Sequence, residues 1–287
     1  MRFFVVLLSL LLAACQSKPG VLPPPLAQDT GTIIDLRSGE VLTPLALVQR
    51  LAQAPRLIVG EQHDNADHHA LQLWLLRSLA VQRPQSSLLL EMLNPDQQPR
   101  VDGLKRSLTG QRLPDGLPNL LAWQPGWDWS LYGPLLGYAL KQPYPLLAAN
   151  LDRQEVRGIY ARAPELSGKR SNAGVVIEAL SEQIRESHCG LLPASQLPAM
   201  LAVQQQRDRR MAERLLAAPT PAVLFAGAFH ARKDLGVPLH LADLEPHQEA
   251  MVLLLAEQGR EVNAAAADYV WYTAAQPPQD YCAQLKP

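Results

Sequence analysis

Short apolar runs alternate with longer stretches of helical period along most of this chain. The runs that predict strands are Thr32–Leu36, Arg56–Gly60, Ser86–Leu93, Pro145–Leu151, Ala222–Gly227, Glu249–Ala256 and Asp268–Thr273. Apolar positions three and four apart predict helices over Pro44–Gln53, Ala66–Gln82, Leu131–Leu140, Arg153–Ala161, Val175–Glu186 and Ser195–Ala217. Strands that alternate with helices are typical of an α/β fold with a mostly parallel central sheet flanked by helices.

Two stretches are longer than a normal connection between parallel strands. They cover about residues 96–144 and 153–220, and a short crossover holds little more than one helix. We expect both to be helical insertions that form a cap over the carboxyl edge of the strands. The sequence therefore predicts a single α/β domain over residues 30–287.

The N-terminus has the pattern of a secretory signal peptide. An apolar run from Phe3 to Ala14 follows Arg2, and it is too short to span a bilayer as a stable helix. The sequence Leu-Ala-Ala-Cys that ends at Cys15 resembles the lipobox of bacterial lipoproteins, in which the cysteine becomes acylated. We expect a signal peptide at residues 1–14, lipidation of Cys15 by palmitate or a similar acyl chain, and a proline-rich tether at 15–29. Because no aspartate follows the cysteine, the outer membrane is the expected location, in either leaflet.

Composition and charge narrow the function further. The chain is 47% apolar and 18% charged with a net charge of −1, so it is globular and offers no basic field for nucleic acid. No apolar run after the signal peptide approaches the length of a membrane span. Cys189 and Cys282 remain after Cys15 is assigned, and in an oxidising compartment two such thiols are candidates for a disulfide. The sequence does not show whether they are close together.

One motif occurs twice: an apolar strand, a glycine, two further residues and a histidine. The two copies end in Gly60–His63 and Gly227–His230. Ligands bind at the carboxyl ends of the strands in open parallel sheets. The candidate catalytic residues at that edge are Glu61, His63, Glu91, Asn150 and His230. The alternative is that each is a loop residue facing water, although a buried strand gives a terminal charge no packing role.

Two further groups of side chains leave alternatives open. Trp123, Trp127, Trp129, Tyr132 and Tyr138 either plug the cap onto the sheet or form the wall of a site for a flat apolar ligand. Arg207, Asp208, Arg210 and Met211 form either a solvated helix face or donors for an anionic ligand. His68 and His69 are expected on a solvated first turn of their helix.

These motifs together resemble those of the ChaN-like haem-binding bacterial lipoproteins. The resemblance covers about residues 32–273. Its motifs are Gly60–Asn65, Glu91, Trp127–Tyr132, Ala149–Asn150, Arg207–Asp208, Met211–Ala212, Gly227–His230 and Gly236–Pro238. The fold is shared more distantly with erythromycin esterases and with TraB/Tiki-type proteins classed as metalloproteases.

The resemblance implies haem binding in haem or iron acquisition at the outer membrane. In that family two haems stack face to face between two monomers, a tyrosine of one subunit ligates each iron, and polar side chains of the other meet the propionates. It therefore implies a homodimer when haem is bound, with a haem receptor of the outer membrane as a further partner. Tyr132 is the candidate iron ligand because of its aromatic surroundings; Tyr138, Tyr144 and Tyr160 are also available.

A hydrolase is the alternative function. His63 would act as the general base, Glu61 or Glu91 would orient it, and His230 would be a second acid or base. In a metal-dependent version, His63, His230 and Glu91 would bind a divalent ion. The chain contains no helical His-Glu-x-x-His motif that would favour this version.

Overall fold

The structure is a computed structural model that describes residues 31–108, 112–277, 279–280 and 282–283. The expected signal peptide, Cys15 and the tether lie outside these residues. The strands are β1 Thr32–Asp35, β2 Val41–Leu42, β3 Arg56–Glu61, β4 Ser87–Leu90, β5 Leu146–Ala148, β6 Ala222–Gly227, β7 Met251–Glu257 and β8 Tyr269–Thr273.

The described strands form a single sheet in the order β2-β1-β8-β7-β3-β6-β4-β5. The six strands from β8 to β5 run parallel, and β1 and β2 add an antiparallel hairpin at one edge. This arrangement confirms the predicted α/β fold with a mostly parallel sheet.

The helices cover the two faces of the sheet. They are α1 Pro44–Leu51, α2 Ala66–Gln82, α3 Gln98–Ser107, α4 Leu117–Leu120, α5 Trp129–Leu140, α6 Arg153–Ala161, α7 Gly174–Ser187, α8 Leu197–Ala217, α9 Ala228–Ala231 and α10 Val237–Leu244. A 3₁₀ turn, Pro95–Gln97, precedes α3. The two long stretches between strands thus contain α3–α5 and α6–α8.

The central strands are buried on both sides, as continuous apolar runs require. In β3, Leu57 and Val59 pack into the core that α1, α2 and α5 share, whereas Ile58 packs into the core beneath α8 and α10. Every residue of β3 and β6 is buried. A polar group at the end of either strand is therefore delivered to the edge of a rigid scaffold.

The outer edge of β5 is closed by a side chain rather than by another strand. The Gln98 amide donates to the Leu146 carbonyl at 2.9 Å and accepts from the Ala148 N–H at 2.7 Å. These two bonds replace those that a neighbouring strand would make. Gln98 lies at the start of α3, so the first insertion covers this edge of the sheet.

The C-terminal segment is attached to the second insertion by a disulfide. Cys189 and Cys282 are bonded, with their Cα atoms 5.7 Å apart, so the two thiols left as candidates do pair. Cys189 lies two residues after the end of α7. As for membrane crossing, the described part of the chain contains no helix of sufficient length and apolarity.

Candidate functional site

The two strand-glycine-histidine motifs lie side by side. β3 and β6 are parallel neighbours, and their register pairs Glu61 with Gly227. A Cβ atom on Gly227 would lie 2.6 Å from Nε2 of His63. Only glycine therefore lets the His63 ring cross the end of the adjacent strand.

The glycine of the first motif has a different role. A Cβ atom on Gly60 would lie 2.5 Å from Cδ2 of Leu254 and 2.7 Å from the Ala231 Cβ. The missing side chain lets α9 pack closely against β3. This contact places His230, at the end of that short helix, beside the end of β3.

The first cluster of polar groups surrounds Glu61, which is 1% exposed. The Tyr132 hydroxyl donates to Oε1 of Glu61 at 2.6 Å. Nδ1 of His63 lies 3.0 Å from both that oxygen and the Tyr132 oxygen. With both acceptors on this side, Nδ1 carries the proton, and Nε2 of His63 faces Gly227.

The balance of charge and burial raises the pKa of both aromatic members of this cluster, but in different ways. Burial lowers the pKa of His63, but the bond to Glu61 and the charge of Glu91 outweigh it, so the pKa is raised above 6.5. Burial raises the pKa of the Tyr132 phenol, and the Glu61 carboxylate raises it further. Tyr132 is therefore a stable neutral donor.

His69 completes the first cluster from α2. Its Nε2–H donates to the His63 carbonyl at 2.9 Å. Its Nδ1 lies 3.2 Å from Oε2 of Glu61, and neither of these buried atoms has a well-aligned hydrogen bond. His69 is 4% exposed, so its predicted place on a solvated turn is wrong.

The second cluster surrounds His230. Its Nδ1–H donates to Oδ1 of Asp208 at 2.6 Å, and its Nε2 lies 3.4 Å from Oε1 of Glu91. The other Glu91 oxygen accepts the Gly227 N–H at 2.7 Å. The imidazole is thus held between two carboxylates, one from the strand edge and one from α8.

This environment favours the imidazolium form of His230. Burial lowers its pKa, but the charges of Glu91 and Asp208 outweigh burial and raise it to about 9. Burial also raises the pKa of Glu91, yet the positive charges of His230 and His63 lower it below its ordinary value. Burial raises the pKa of Asp208 to about 6, so both carboxylates are ionised at neutral pH.

Asn150 lies next to the second cluster but supports the backbone. Its amide donates to the Glu91 carbonyl at 2.9 Å, and its oxygen accepts the Leu151 N–H at 2.8 Å. Both ends of the side chain are therefore used. Asn150 positions Glu91, and the structure gives it no contact with the two imidazoles.

Aromatic side chains of the first insertion cover His63. The Trp127 ring centroid lies 4.8 Å from that of His63 and 5.9 Å from that of Tyr132, and the Trp123 ring packs on Tyr132 at 5.8 Å. Phe229 is 51% exposed beside His230. Aromatic rings that are at least partly exposed thus lie beside both histidines, and the His63 side chain is 38% exposed.

His68 has a structural role in the turn that carries the site. Its Nδ1 accepts the Gln62 N–H at 3.0 Å, and its Nε2 lies 3.2 Å from the Thr273 hydroxyl. Burial lowers its pKa to about 3, so it is neutral. The expected solvated position of His68 is wrong. Asn65 caps the same turn by accepting the Asp67 and His68 N–H groups.

Sequence reasoning did not include Asp208, His69 or the Tyr132 hydroxyl in the acid–base site. Asp208 had a visible signal, because Gln204, Asp208 and Met211 are spaced three or four apart and so share one face of α8. Arg210 instead pairs with Glu155 at 2.6 Å. The solvated-face alternative for this helix therefore fails at Asp208, which is fully buried.

The proposed metal ligands do not form a metal site. His63 turns Nδ1 toward Glu61, and His230 has a carboxylate at each ring nitrogen. Among the residues described, no group of three or more histidine, cysteine or acidic side chains is arranged to hold a metal ion. We derive no metal-dependent step.

The position of Tyr132 does not fit the expected iron ligand. It is 1% exposed, and its hydroxyl is already bonded to Glu61. A haem iron would reach the oxygen only after that bond had broken and the aromatic cover had moved. Tyr144 is also buried, Tyr138 is half-buried beneath Arg77, and Tyr160 on α6 is 41% exposed.

A family model and one solved structure point to the same family. A family model described as haem-binding uptake, Tiki superfamily, ChaN matches residues 47–241. The structure of ChaN of Campylobacter jejuni, described as binding haem cofacially, is similar at 28% identity and a TM-score of 0.75 over 84% of this chain and 95% of that one. An erythromycin esterase is similar at 14% identity and a TM-score of 0.46, over 80% of this chain and 77% of that one. No curated protein sequence matches significantly.

Proposed function

This chain belongs to the haem-binding uptake family of the Tiki superfamily that includes ChaN, and we propose that it binds haem for haem or iron acquisition. The observation that carries the proposal is the match to a haem-binding ChaN over 95% of that protein's length. A relation of this extent includes the insertions as well as the sheet.

The iron ligand we propose is Tyr160. A phenolate oxygen suits ferric iron as an axial ligand, and among the four candidate tyrosines Tyr160 has the most exposed ring. It lies on α6, a helix with no buried residue that begins shortly after β5 at the carboxyl edge of the sheet. Its face also presents Val156 and Ile159, which are partly exposed apolar side chains suited to a porphyrin.

We further propose that two copies assemble around haem. A tyrosine on the surface of one chain shields only one side of a porphyrin, and a second chain would cover the other side and meet the propionates. The expected partners are therefore a second copy of this chain and a haem receptor of the outer membrane.

The proposed location is the outer membrane, through lipids on Cys15. Several acyl chains together anchor a protein stably where one is marginal. The Cys189–Cys282 disulfide supports export, because disulfides persist in oxidising compartments outside the cytoplasm. Metabolic labelling with a palmitate analogue, lost in Cys15→Ser, tests the anchor.

An absorption titration with haemin tests the haem proposal. We expect saturation near one haem per chain, with a Soret band that weakens in Tyr160→Phe and is kept in Tyr132→Phe. Sedimentation of the loaded protein should show a dimer. A wild-type protein that gives no saturable band contradicts haem binding, and a spectrum altered only in Tyr132→Phe returns the ligand to Tyr132.

The second candidate function is that of a hydrolase whose site lies at the carboxyl ends of the parallel strands. The arrangement of acidic and histidine side chains there favours this role. Two carboxylate–imidazole pairs, Glu61–His63 and Asp208–His230, lie at this edge. The ring of His63 approaches Gly227, and the Gly227 N–H binds the Glu91 carboxylate that faces His230. Perturbed acid–base groups gathered in a cleft are typical of catalytic sites. The two imidazoles also differ in their hydrogen bonds and protonation. Nε2 of His63 has no hydrogen-bond partner among the described residues, whereas His230 is protonated at neutral pH.

This difference assigns the roles in ester hydrolysis. Nε2 of His63 takes a proton as the water oxygen bonds to the ester carbonyl carbon. The carbon–oxygen bond to the leaving group then breaks, and the His230 imidazolium gives that oxygen a proton. The products are an acid and an alcohol, and the two histidines exchange the proton with solvent.

A panel of nitrophenyl esters tests the hydrolase role. We expect His63→Ala to lower kcat/KM about 10²- to 10⁴-fold, the usual contribution of a general base, whereas His247→Ala on an exposed loop leaves it unchanged. The pH profile should be bell-shaped: it rises through the raised pKa of His63 and falls near pH 9 as His230 loses its proton. An inert wild type refutes this role and leaves haem binding untouched.

A further inference from the structure

Arg207 has no partner for its charge among the residues that the structure describes. Its Nε atom is buried without a hydrogen bond, and the guanidinium forms no ion pair. Leaving a buried charged donor unsatisfied costs more than an ordinary hydrogen bond contributes. Most of the other arginines close to this edge are engaged: Arg210 binds Glu155, and Arg214 binds the Ala148 carbonyl.

Helix geometry places Arg207 on the face that borders the site. Residues three and four apart share a face. Arg207 is three residues after Gln204 and four before Met211, which is fully buried. The Gln204 amide lies 3.2 Å from Nδ1 of His230. The positive charge of Arg207 also lowers the pKa of Glu91, so the guanidinium lies within electrostatic reach of the site.

The nearby carboxylates do not satisfy this guanidinium. Glu91 binds the Gly227 N–H and faces His230, and Asp208 binds His230. Oδ2 of Asp208 is itself without a hydrogen bond. No ion pair joins Arg207 to Asp208, although the charge of the guanidinium acts to lower the pKa of that carboxyl.

We propose that Arg207 binds a carboxylate of the ligand that enters this site. A guanidinium recognises planar carboxylates through paired N–H donors. The ring of Trp127 against His63 and the exposed ring of Phe229 next to His230 favour an apolar or aromatic body attached to that carboxylate. The carboxylate belongs either to a small aromatic acid released by ester hydrolysis, in which case the inference rests on the proposed hydrolase, or to a haem propionate.

Binding measurements test the proposal without requiring turnover. Phenylacetate and its neutral counterpart phenylacetamide are titrated by calorimetry into wild type, Arg207→Gln, Arg207→Lys and the control Arg106→Gln, an exposed arginine on α3. Haemin and haemin dimethyl ester are titrated by absorbance into the same proteins. Thermal melts establish that each variant is folded.

We expect wild type to bind one carboxylate probe at least tenfold more tightly than its neutral counterpart, since a charged hydrogen bond contributes about that much. Arg207→Gln should remove this preference, Arg207→Lys should restore part of it, and Arg106→Gln should keep it. An effect on phenylacetate identifies a small acid as the ligand, and an effect on haemin but not on its diester identifies a propionate.

The proposal is overturned if Arg207→Gln still prefers the carboxylate probe over its neutral counterpart. It is also overturned if wild type binds each neutral probe with the same affinity as the corresponding acid. Ester turnover is scored separately. If the protein hydrolyses no ester but Arg207→Gln still weakens the binding of phenylacetate or haemin, Arg207 remains a carboxylate-binding residue.

Discussion

Replacing Gly227 by alanine should displace His63 without unfolding the protein. The added Cβ would lie 2.6 Å from Nε2 of His63, and the shortest ordinary contact is 3.4 Å, so the ring must retreat by about 0.8 Å. N–H···O bonds span about 2.7–3.2 Å. A shift of that size takes Nδ1 out of its 3.0 Å contacts with Glu61 and Tyr132.

The backbone itself accepts alanine. Gly227 has φ −59° and ψ 147°, which any residue adopts, and its N–H bond to Glu91 does not involve the side chain. Because the His63 side chain is partly exposed, it can swing outward. We therefore expect the free energy of unfolding to change by less than about 1 kcal/mol.

Histidine ring resonances followed by NMR across pH measure the effect. In wild type the pKa of His63 should lie above 6.5, and in Gly227→Ala it should return toward that value, because the bond to Glu61 is lost. Gly126→Ala, where nothing lies within 4 Å of the new Cβ, is the neutral control. Gly60→Ala should instead destabilise the fold by about 1–3 kcal/mol through overpacking. An unchanged His63 titration in Gly227→Ala would refute the close approach of the two strands' motifs.

Three other predictions follow from the same contacts. Tyr132→Phe removes the buried donor to Glu61 and should lower the free energy of unfolding, measured in urea, by about 1–3 kcal/mol. Tyr138→Phe should leave it unchanged. Equal urea midpoints for wild type and Tyr132→Phe would contradict the bond. The pKa of His230 is about 9 in the folded protein and near 6.5 when unfolded, so its stabilising contribution is complete below pH 6.5 and is lost as pH rises to 9. The Tm of wild type should therefore fall more over this window than that of His230→Gln, and parallel curves would rule out the raised pKa. Cys189→Ser opens a disulfide that spans 93 residues of sequence and should cost about 2–4 kcal/mol; wild type in reductant should match the variant, and a lack of effect in both would show that the bond contributes nothing to stability.

Elements with a strong local signal were predictable from sequence. The strand β6 and the helices α2 and α6 begin and end where the apolar pattern indicates. The strand predicted to end at Leu93 ends earlier, at Leu90. The Glu91 N–H still bonds the Phe225 carbonyl, but the Gly227 N–H of the neighbouring strand donates to the Glu91 carboxylate. The helix α3 was not predicted, since only Val101 of its ten residues is buried and no apolar period results.

The site was predictable where it depends on the sheet and unpredictable where it depends on packing between distant elements. Parallel strands end at a common edge, so the sequence places Glu61, His63 and His230 together. Asp208 and Tyr132 reach the same edge from two insertions. No local sequence pattern predicts how those insertions fold back over the strands. The hydrogen bonds that Asp208 and Tyr132 make to the histidine and glutamate side chains of the site could therefore not be predicted from the sequence.

The side-chain amide that closes the outer edge of β5 has a consequence for assembly. With Gln98 occupying the Leu146 carbonyl and the Ala148 N–H, this border offers a partner no free backbone groups for strand addition. A second molecule can approach here only through side chains, which gives weaker and more readily reversed association. This edge is compatible with a dimer that depends on a bound porphyrin and dissociates when the porphyrin is transferred. It is not compatible with a continuous intermolecular sheet.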